Sequence, residues 1–205
     1  MYAVDASKLT KRFGPRLVFK DIAFSLKTGG SLAVIGRNGS GKTTLLRILA
    51  GLTAPSRGRL DFSTNGDKLD RTSIRCNLSY IGPEMTLYDA LTARENLRFF
   101  ATMRGISMTD DEIEAILTEF QLAGRGKDFY GAYSSGMKQR LKYAVALLND
   151  PAFLLLDEPS ANLDEEGKEL VSKIISRQKE NGVLIIATNE KEEYDLAETR
   201  LEVGV

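Results

Sequence analysis

The residues Gly36-Arg37-Asn38-Gly39-Ser40-Gly41-Lys42-Thr43 carry the spacing G-x-x-x-x-G-K-[ST], and residue types in that order suit one kind of chemistry, the cradling of phosphates. Glycine lets backbone N–H groups curl inward around an anion without a Cβ in the way. A helix opening at Thr44 would add the positive end of its dipole at the same spot. Lys42 is placed to reach β- and γ-phosphates, and the Thr43 hydroxyl to hold Mg²⁺. A Gly-rich turn without a ligand is the alternative, but a strand before the loop and a helix after it favour a nucleoside triphosphate.

A phosphate loop needs acid opposite it. Phe153-Leu154-Leu155-Leu156 is a continuous apolar run that ends in Asp157 and Glu158. At the carboxyl edge of a parallel strand, where open sheets hold ligands, Asp157 would support Mg²⁺ alongside Thr43. Glu158, one residue further out, is placed to polarise an attacking water. Alone, an Asp-Glu pair could merely begin a loop. Tyr133-Ser134-Ser135-Gly136-Met137 is a small, polar helix start with free N–H groups, hence a second anion site. Read in isolation, Ser134 is a plain N-cap. Two chains packed head-to-tail would use both anion sites, each closing the other's nucleotide.

These groups must be positioned by ordinary elements. Leu32-Ala33-Val34-Ile35 reads as a buried strand before the loop, and Thr44–Ala50 as a helix closed by Gly51. Residues 2–9 and 17–26 alternate like strands around the turn Phe13-Gly14-Pro15. Residues 52–75, with Pro55, Gly58 and Asn65-Gly66, predict loops around a short strand near Arg59–Phe62. Leu78–Ile81 predicts another strand. Thr92…Glu95 and Thr109…Glu112 match the capping box, each ahead of helix-spaced apolar residues. A third helix is expected over 136–148. Residues 164–180 predict an amphipathic helix, Val183–Ala187 a fully buried strand, and Leu201–Val203 the last strand. The expected organisation is a single domain over 1–205, with an α/β core from 1–89 and 151–205 and a helical subdomain at about 90–150.

Composition narrows the function. The chain has 205 residues with 28 basic and 28 acidic side chains, so no electrostatic nucleic-acid footprint is expected. It has no histidine, which excludes His-ligated metals, Ser-His-Asp triads and a histidine base. Cys76 stands alone, which fits a reducing cytosol and excludes an intrachain disulfide. No apolar run is long enough to cross a bilayer, and Met1–Asp5 does not begin a signal peptide. Any membrane part would come from another chain.

Taken together, Gly36–Thr44, Tyr133–Arg140, Leu154–Pro159 and Ser160-Ala161-Asn162-Leu163-Asp164 resemble the ATP-binding subunit of an ABC transporter, over essentially the whole chain. The resemblance implies a P-loop NTPase cassette of α/β class: a RecA-like parallel core, an N-terminal antiparallel β portion and an inserted helical subdomain. It implies ATP and Mg²⁺ as cofactors, a head-to-tail dimer with a second copy or a homologous subunit, and a membrane-spanning permease as partner. The chain would then lie in the cytoplasm, peripheral on the inner face of the membrane. The family signature L-S-G-G-Q falls on Tyr133–Met137, keeping Ser134 and Gly136 but replacing the other three residues with Tyr133, Ser135 and Met137. Ser160–Asp164 resembles the loop that meets its counterpart across the dimer. Phe13 takes the place of the aromatic that stacks on adenine, with a simple turn hydrophobe as the alternative.

Two positions depart from the pattern. Glu84 stands where the family places a Mg²⁺-touching Gln, and Asn189 stands where it places a His that contacts the γ-phosphate. A carboxylate can ligate Mg²⁺ but adds negative charge beside phosphates. An amide can donate to phosphate but cannot shuttle a proton. Slow basal hydrolysis with Glu158 as base is therefore expected. The segment from Glu84 to Leu91, with Met85, Leu87 and Tyr88, would dock the permease or simply pack under helices. The compact length is similar to haem-exporter cassettes of cytochrome c maturation, with multidrug and polysaccharide exporters as alternatives. A catalytically weak regulatory module and a soluble ATPase acting on nucleic acid or ribosomes are the competing functions.

Overall fold

The computed structural model describes residues 1–161 and 163–204. The chain divides into two compact units, Met1–Gly82 with Pro151–Pro159 and Ile174–Val205, and Pro83–Asp150 with Ser160–Lys173.

The first unit holds two sheets. Alternating burial over β1 (Tyr2–Phe13) and β2 (Arg16–Lys27) makes a long antiparallel hairpin turned at Gly14-Pro15. β1 also pairs with β4 (Arg57–Thr64), which turns at Asn65-Gly66 into β5 (Asp67–Lys68), giving the order β2-β1-β4-β5. The other sheet is fully parallel. β3 (Ser31–Ile35), β6 (Leu78–Ile81), β7 (Phe153–Asp157), β8 (Val183–Ala187) and β9 (Thr199–Glu202) lie in the order β6-β7-β8-β3-β9. β7 and β8 are buried at every residue, as expected of parallel strands covered on both faces. Helix α1 (Lys42–Leu49) lays Leu45, Leu46, Ile48 and Leu49 against β7 and β8. These join Val4, Leu9, Phe19, Phe62, Phe153 and Ile185 in one apolar core. Tyr2 and Phe62 both meet the Phe153 ring edge-on, at centroid distances of 5.6 and 4.9 Å.

The region 52–75 is more ordered than its composition predicts. The strand near Arg59 runs for eight residues, and helix α2 (Arg71–Asn77) follows, with the Asp70 side chain accepting from Ser73 N–H. No residue of α2 is buried, so it lacks the apolar periodicity by which a helix is recognised.

The second unit is helical. In α3 (Ala93–Met103) and α4 (Asp110–Glu119) both capping boxes form as expected, with Thr92 and Thr109 accepting from Glu95 and Glu112 N–H and those glutamates reaching back. Helix α5 (Ser135–Ala146) packs on both, and Leu97, Ala101, Ile113, Leu117, Leu141 and Val145 are buried. Of the loop expected to dock a partner, Leu87 is buried while Tyr88 is exposed. Helix α6 (Glu165–Asn181) carries the chain from the second unit back into the first, and the short helix α7 (Lys191–Tyr194) follows β8. No helix among the described residues is long and apolar enough to cross a membrane.

Candidate nucleotide site

Strand order sets the site. β3, β7 and β8 end at one level, with Val34 and Asp157 both paired to Ala187, so the residues that follow each strand share one edge. The ladder continues past the strands, because Glu158 N–H donates to Ala187 O at 2.8 Å and Thr188 N–H to Val34 O at 3.1 Å.

From β3 the chain enters the Gly36–Thr43 loop, which only glycine can follow at its two ends. Gly36 has φ 147°, and a Cβ there would run into the Val203 carbonyl and lie 2.7 Å from Ser40 Oγ. Gly41, the N-cap of α1, has φ 112°, and its Cβ would meet Val18 Cγ1 at 2.5 Å. Lys42, Thr43 and Thr44 form the first turn of α1, so the helix opens two residues earlier than expected. Lys42 is 6% exposed, and its Nζ donates to Gly36 O and Asn189 Oδ1, both at 2.9 Å. It also lies 3.5 Å from Glu158 Oε1. Asn189 in turn donates from Nδ2 to Asn38 Oδ1 at 2.6 Å, linking the β8 edge to the loop.

Asp157 is 4% exposed. Tyr80 Oη donates to its Oδ2 at 3.2 Å, while Oδ1 is buried without a hydrogen-bond partner in the described structure. Burial raises the Asp157 pKa, opposed by Thr43, Tyr80, Lys42 and Arg47. A buried carboxylate oxygen with no donor, beside a threonine hydroxyl, suits a hard divalent cation with oxygen ligands. Thr43 and Asp157 therefore fit Mg²⁺. Glu158 holds a left-handed backbone, φ 50°, a conformation that costs a non-glycine residue about 1–3 kcal/mol and concentrates at functional positions. Burial pushes its carboxyl up, Lys42 opposes, and Asp157 and Glu193 add to the rise.

Phe13, Arg16, Asn38, Lys42, Thr44 and Glu158 line a cavity of about 400 Å³ with the loop itself. Phe13 is 55% exposed, and Lys11 Nζ lies 4.6 Å from its ring centroid. Arg37, Gly39 and Ser40 border an adjoining cavity with Arg16, Asn38 and the end of β9. The first unit thus gathers the phosphate loop, Phe13, Asp157, Glu158 and Asn189. Glu84, Ser134, Ser135 and Gly136 belong to the second unit.

Glu84 lies in a turn after β6. Ser134 is the N-cap of α5, its hydroxyl accepting from Met137 N–H at 3.2 Å, while Ser135 and Gly136 occupy the first two helical positions. Their N–H groups have no intrahelical acceptor. Asp164 accepts from Arg140 Nη2 at 2.6 Å and from Gly167 N–H at 2.9 Å. Asn162, in the expected dimer-meeting loop, lies outside the described residues.

Sequence reasoning missed Tyr80, which burial and Asp157 push up to about 12. It also missed Glu193, buried in α7. Tyr80 alternates with buried Ser79 and Ile81 in β6 and gives no local sign that its hydroxyl reaches the neighbouring strand.

The chain matches the family described as ABC transporter over residues 19–161. It is 30% identical over 191 residues to the cytochrome c biogenesis ATP-binding export protein CcmA of Vibrio parahaemolyticus, covering 93% of each chain. It is 29% identical over 188 residues to the linearmycin resistance ATP-binding protein LnrL of Bacillus subtilis, covering 91% of this chain but only 60% of that protein. A solved ATP-binding subunit of an ABC transporter shares the fold with a TM-score of 0.83 at 29% identity, covering 98% of this chain and 85% of that one. The protein belongs to the ABC transporter family, as an ATP-binding subunit built on the family's ATPase cassette.

Proposed function

We propose that this cassette hydrolyses Mg-ATP in a head-to-tail dimer and thereby powers a separate membrane-spanning permease from the cytoplasmic face of the membrane. The observation that carries the reading is the Lys42 ammonium held between its own loop and Glu158, with Asp157 behind it. The loop amides and the start of α1 bind the β- and γ-phosphates, and Lys42 exchanges a protein acceptor for phosphate oxygen. Phe13 receives the adenine on its open face. Mg²⁺, for which Thr43 and Asp157 supply the oxygens, would neutralise charge on the phosphate oxygens. Glu158 takes the proton of the attacking water as the bond from water oxygen to the γ-phosphorus forms. The bond from that phosphorus to the bridging oxygen breaks, leaving ADP and phosphate. Asn189 orients the γ-phosphate without supplying a proton.

The N–H groups of Ser135 and Gly136, which have no intrahelical acceptor, serve the nucleotide of the partner copy together with Ser134. Tyr88 (52% exposed) meets Phe99 at a ring-centroid distance of 5.1 Å, and Met103 is 72% exposed, so the helical unit presents an apolar surface suited to the permease. The cargo is a property of the permease; a linearmycin-resistance and a cytochrome c biogenesis relative at nearly equal identity support no choice between cargoes. Purified Glu158→Gln should bind ATP, lose turnover and run as an ATP-dependent dimer in size-exclusion chromatography. Unchanged turnover in that variant would remove Glu158 as the base and with it the proposed mechanism.

A further inference from the structure

Three neighbouring strands of the antiparallel sheet lose register at one level. β1 slips against β4 between Ser7 and Thr10, and against β2 on either side of Leu9. At that level Lys8, Asp21 and Gly58, one from each strand, all take left-handed backbone, with φ 50°, 53° and 95°. The strands approach closely there, since a Cβ on Gly58 would run into the Lys8 carbonyl and lie 2.6 Å from Ser7 O. Strained backbone at a lysine and an aspartate needs a reason, and aligned bulges re-aim side chains. Here they open a cavity of about 410 Å³, lined by Lys8, Arg12, Lys20 and Arg57 with a single carboxylate, Asp21.

Four cations against one acid stand out in a chain whose charges balance at 28 and 28. Lys20 faces Asp21 at 3.8 Å, and among the described residues Arg12 Nη2 donates to the Pro15 carbonyl alone, at 3.4 Å. The Lys8 and Arg57 side chains have no hydrogen bond or ion pair among the described residues. Thr10, 7% exposed, and Ser56 add hydroxyls to the lining. Two guanidiniums and two ammoniums around one cavity match the oxygens of phosphate, which accepts several charge-assisted bonds at once.

We propose that this cavity is a second anion site, separate from the phosphate loop, that binds a phosphate-bearing group such as a pyrophosphate or phosphomonoester. Its source is either a soluble phosphate compound or a phospholipid headgroup. The test is calorimetric titration of inorganic pyrophosphate into the full chain saturated with Mg-ADP, without excess magnesium. Lys8→Asn with Arg57→Gln is the test variant, because Asn tolerates left-handed backbone. Arg71→Gln with Arg75→Gln, on the exposed face of α2, removes the same charge elsewhere.

One pyrophosphate should bind per chain, and affinity should fall roughly tenfold or more in the test variant and stay unchanged in the control. Arg12→Gln with Lys20→Gln should repeat the loss, which covers the case of a misfolded first variant. Sedimentation with phosphatidylcholine vesicles, with and without phosphatidic acid, assigns the source. Binding to phosphatidic acid that the test variant loses identifies a headgroup, and pyrophosphate binding alone identifies a soluble phosphate. No pyrophosphate binding to the Mg-ADP-saturated chain, or an equal loss in the test and control variants, overturns the site.

Discussion

Replacing Asn189 with Ala should tighten binding of Mg-ADP, an unusual outcome for removing a polar residue from a nucleotide site. The ammonium of Lys42 has three donors, and three protein oxygens surround it: Gly36 O and Asn189 Oδ1 at 2.9 Å, and Glu158 Oε1 at 3.5 Å. Two of the donors are spent on neutral protein oxygens at 2.9 Å, and a phosphate oxygen approaching along either must displace its acceptor. Asn189 is the readiest to go, being a neutral acceptor on an exposed residue. A hydrogen bond to a charged group is worth about 1.5–3 kcal/mol net, and exposure puts this one at the lower end. Without it, nucleotide no longer competes for Lys42, and about 1.5 kcal/mol corresponds to roughly tenfold in affinity. ADP reports this gain alone because it has no γ-phosphate for Asn189 to contact. ATP should gain less, since a γ-phosphate hydrogen bond of about 0.5–1.5 kcal/mol is lost at the same time. Isothermal titration of Mg-ADP and of Mg-ATP into the Glu158→Gln background, with and without Asn189→Ala, measures both. If ADP affinity is unchanged or weaker, Asn189 does not hold Lys42 away from phosphate and no such competition exists.

Glu158 and Asp157 should impose a pH dependence on stability. A carboxyl whose native pKa is raised binds its proton more tightly folded than unfolded. Its contribution is present at acid pH and lost as pH rises from the ordinary value through the raised one. In thermal melts without nucleotide, Glu158→Gln should therefore be the more stable protein at pH 7.5 and lose that advantage as pH falls below the ordinary 4.5; a constant offset across pH would contradict burial as the cause. Phe13→Ala should weaken adenine nucleotides by about 1–3 kcal/mol and leave inorganic tripolyphosphate unaffected in competition titrations. Equal losses for both ligands would mean Phe13 shapes the loop and does not stack on a base. Thr109→Ala removes a capping box far along the chain from the phosphate loop and should cost about 1 kcal/mol, lowering the melting temperature by roughly 2–4 °C with Mg-ADP affinity intact.

Local features were legible in the sequence because local chemistry forces them. The phosphate loop declares itself through glycines that no other residue can replace, and β7 and β8 through unbroken apolar runs. The two capping boxes formed on the residues expected. Helix α2 was not legible, since a helix with no buried residue leaves only Asp70 as a start signal. The contact between Lys42 and Asn189 joins residues 147 apart, and that between Tyr80 and Asp157 joins residues 77 apart. Both depend on which strands become neighbours, and no single stretch encodes strand order. The aligned bulges at Lys8, Asp21 and Gly58 escape notice for the same reason. Only Gly58 hints at unusual backbone, and the hairpin pattern reads through the other two.

The main-chain bonds from Glu158 N–H to Ala187 O and from Thr188 N–H to Val34 O tie down the peptide at the chemical centre whatever side chain it carries. Position 158 and the residue after Thr188 thus behave as sockets on a rail held by main-chain bonds, the left-handed turn at 158 admitting only side chains that tolerate it. A lineage could exchange histidine for asparagine at such a socket and retune turnover without rebuilding the sheet. An experimenter can read the effect of each exchange there as chemistry, with little contribution from refolding.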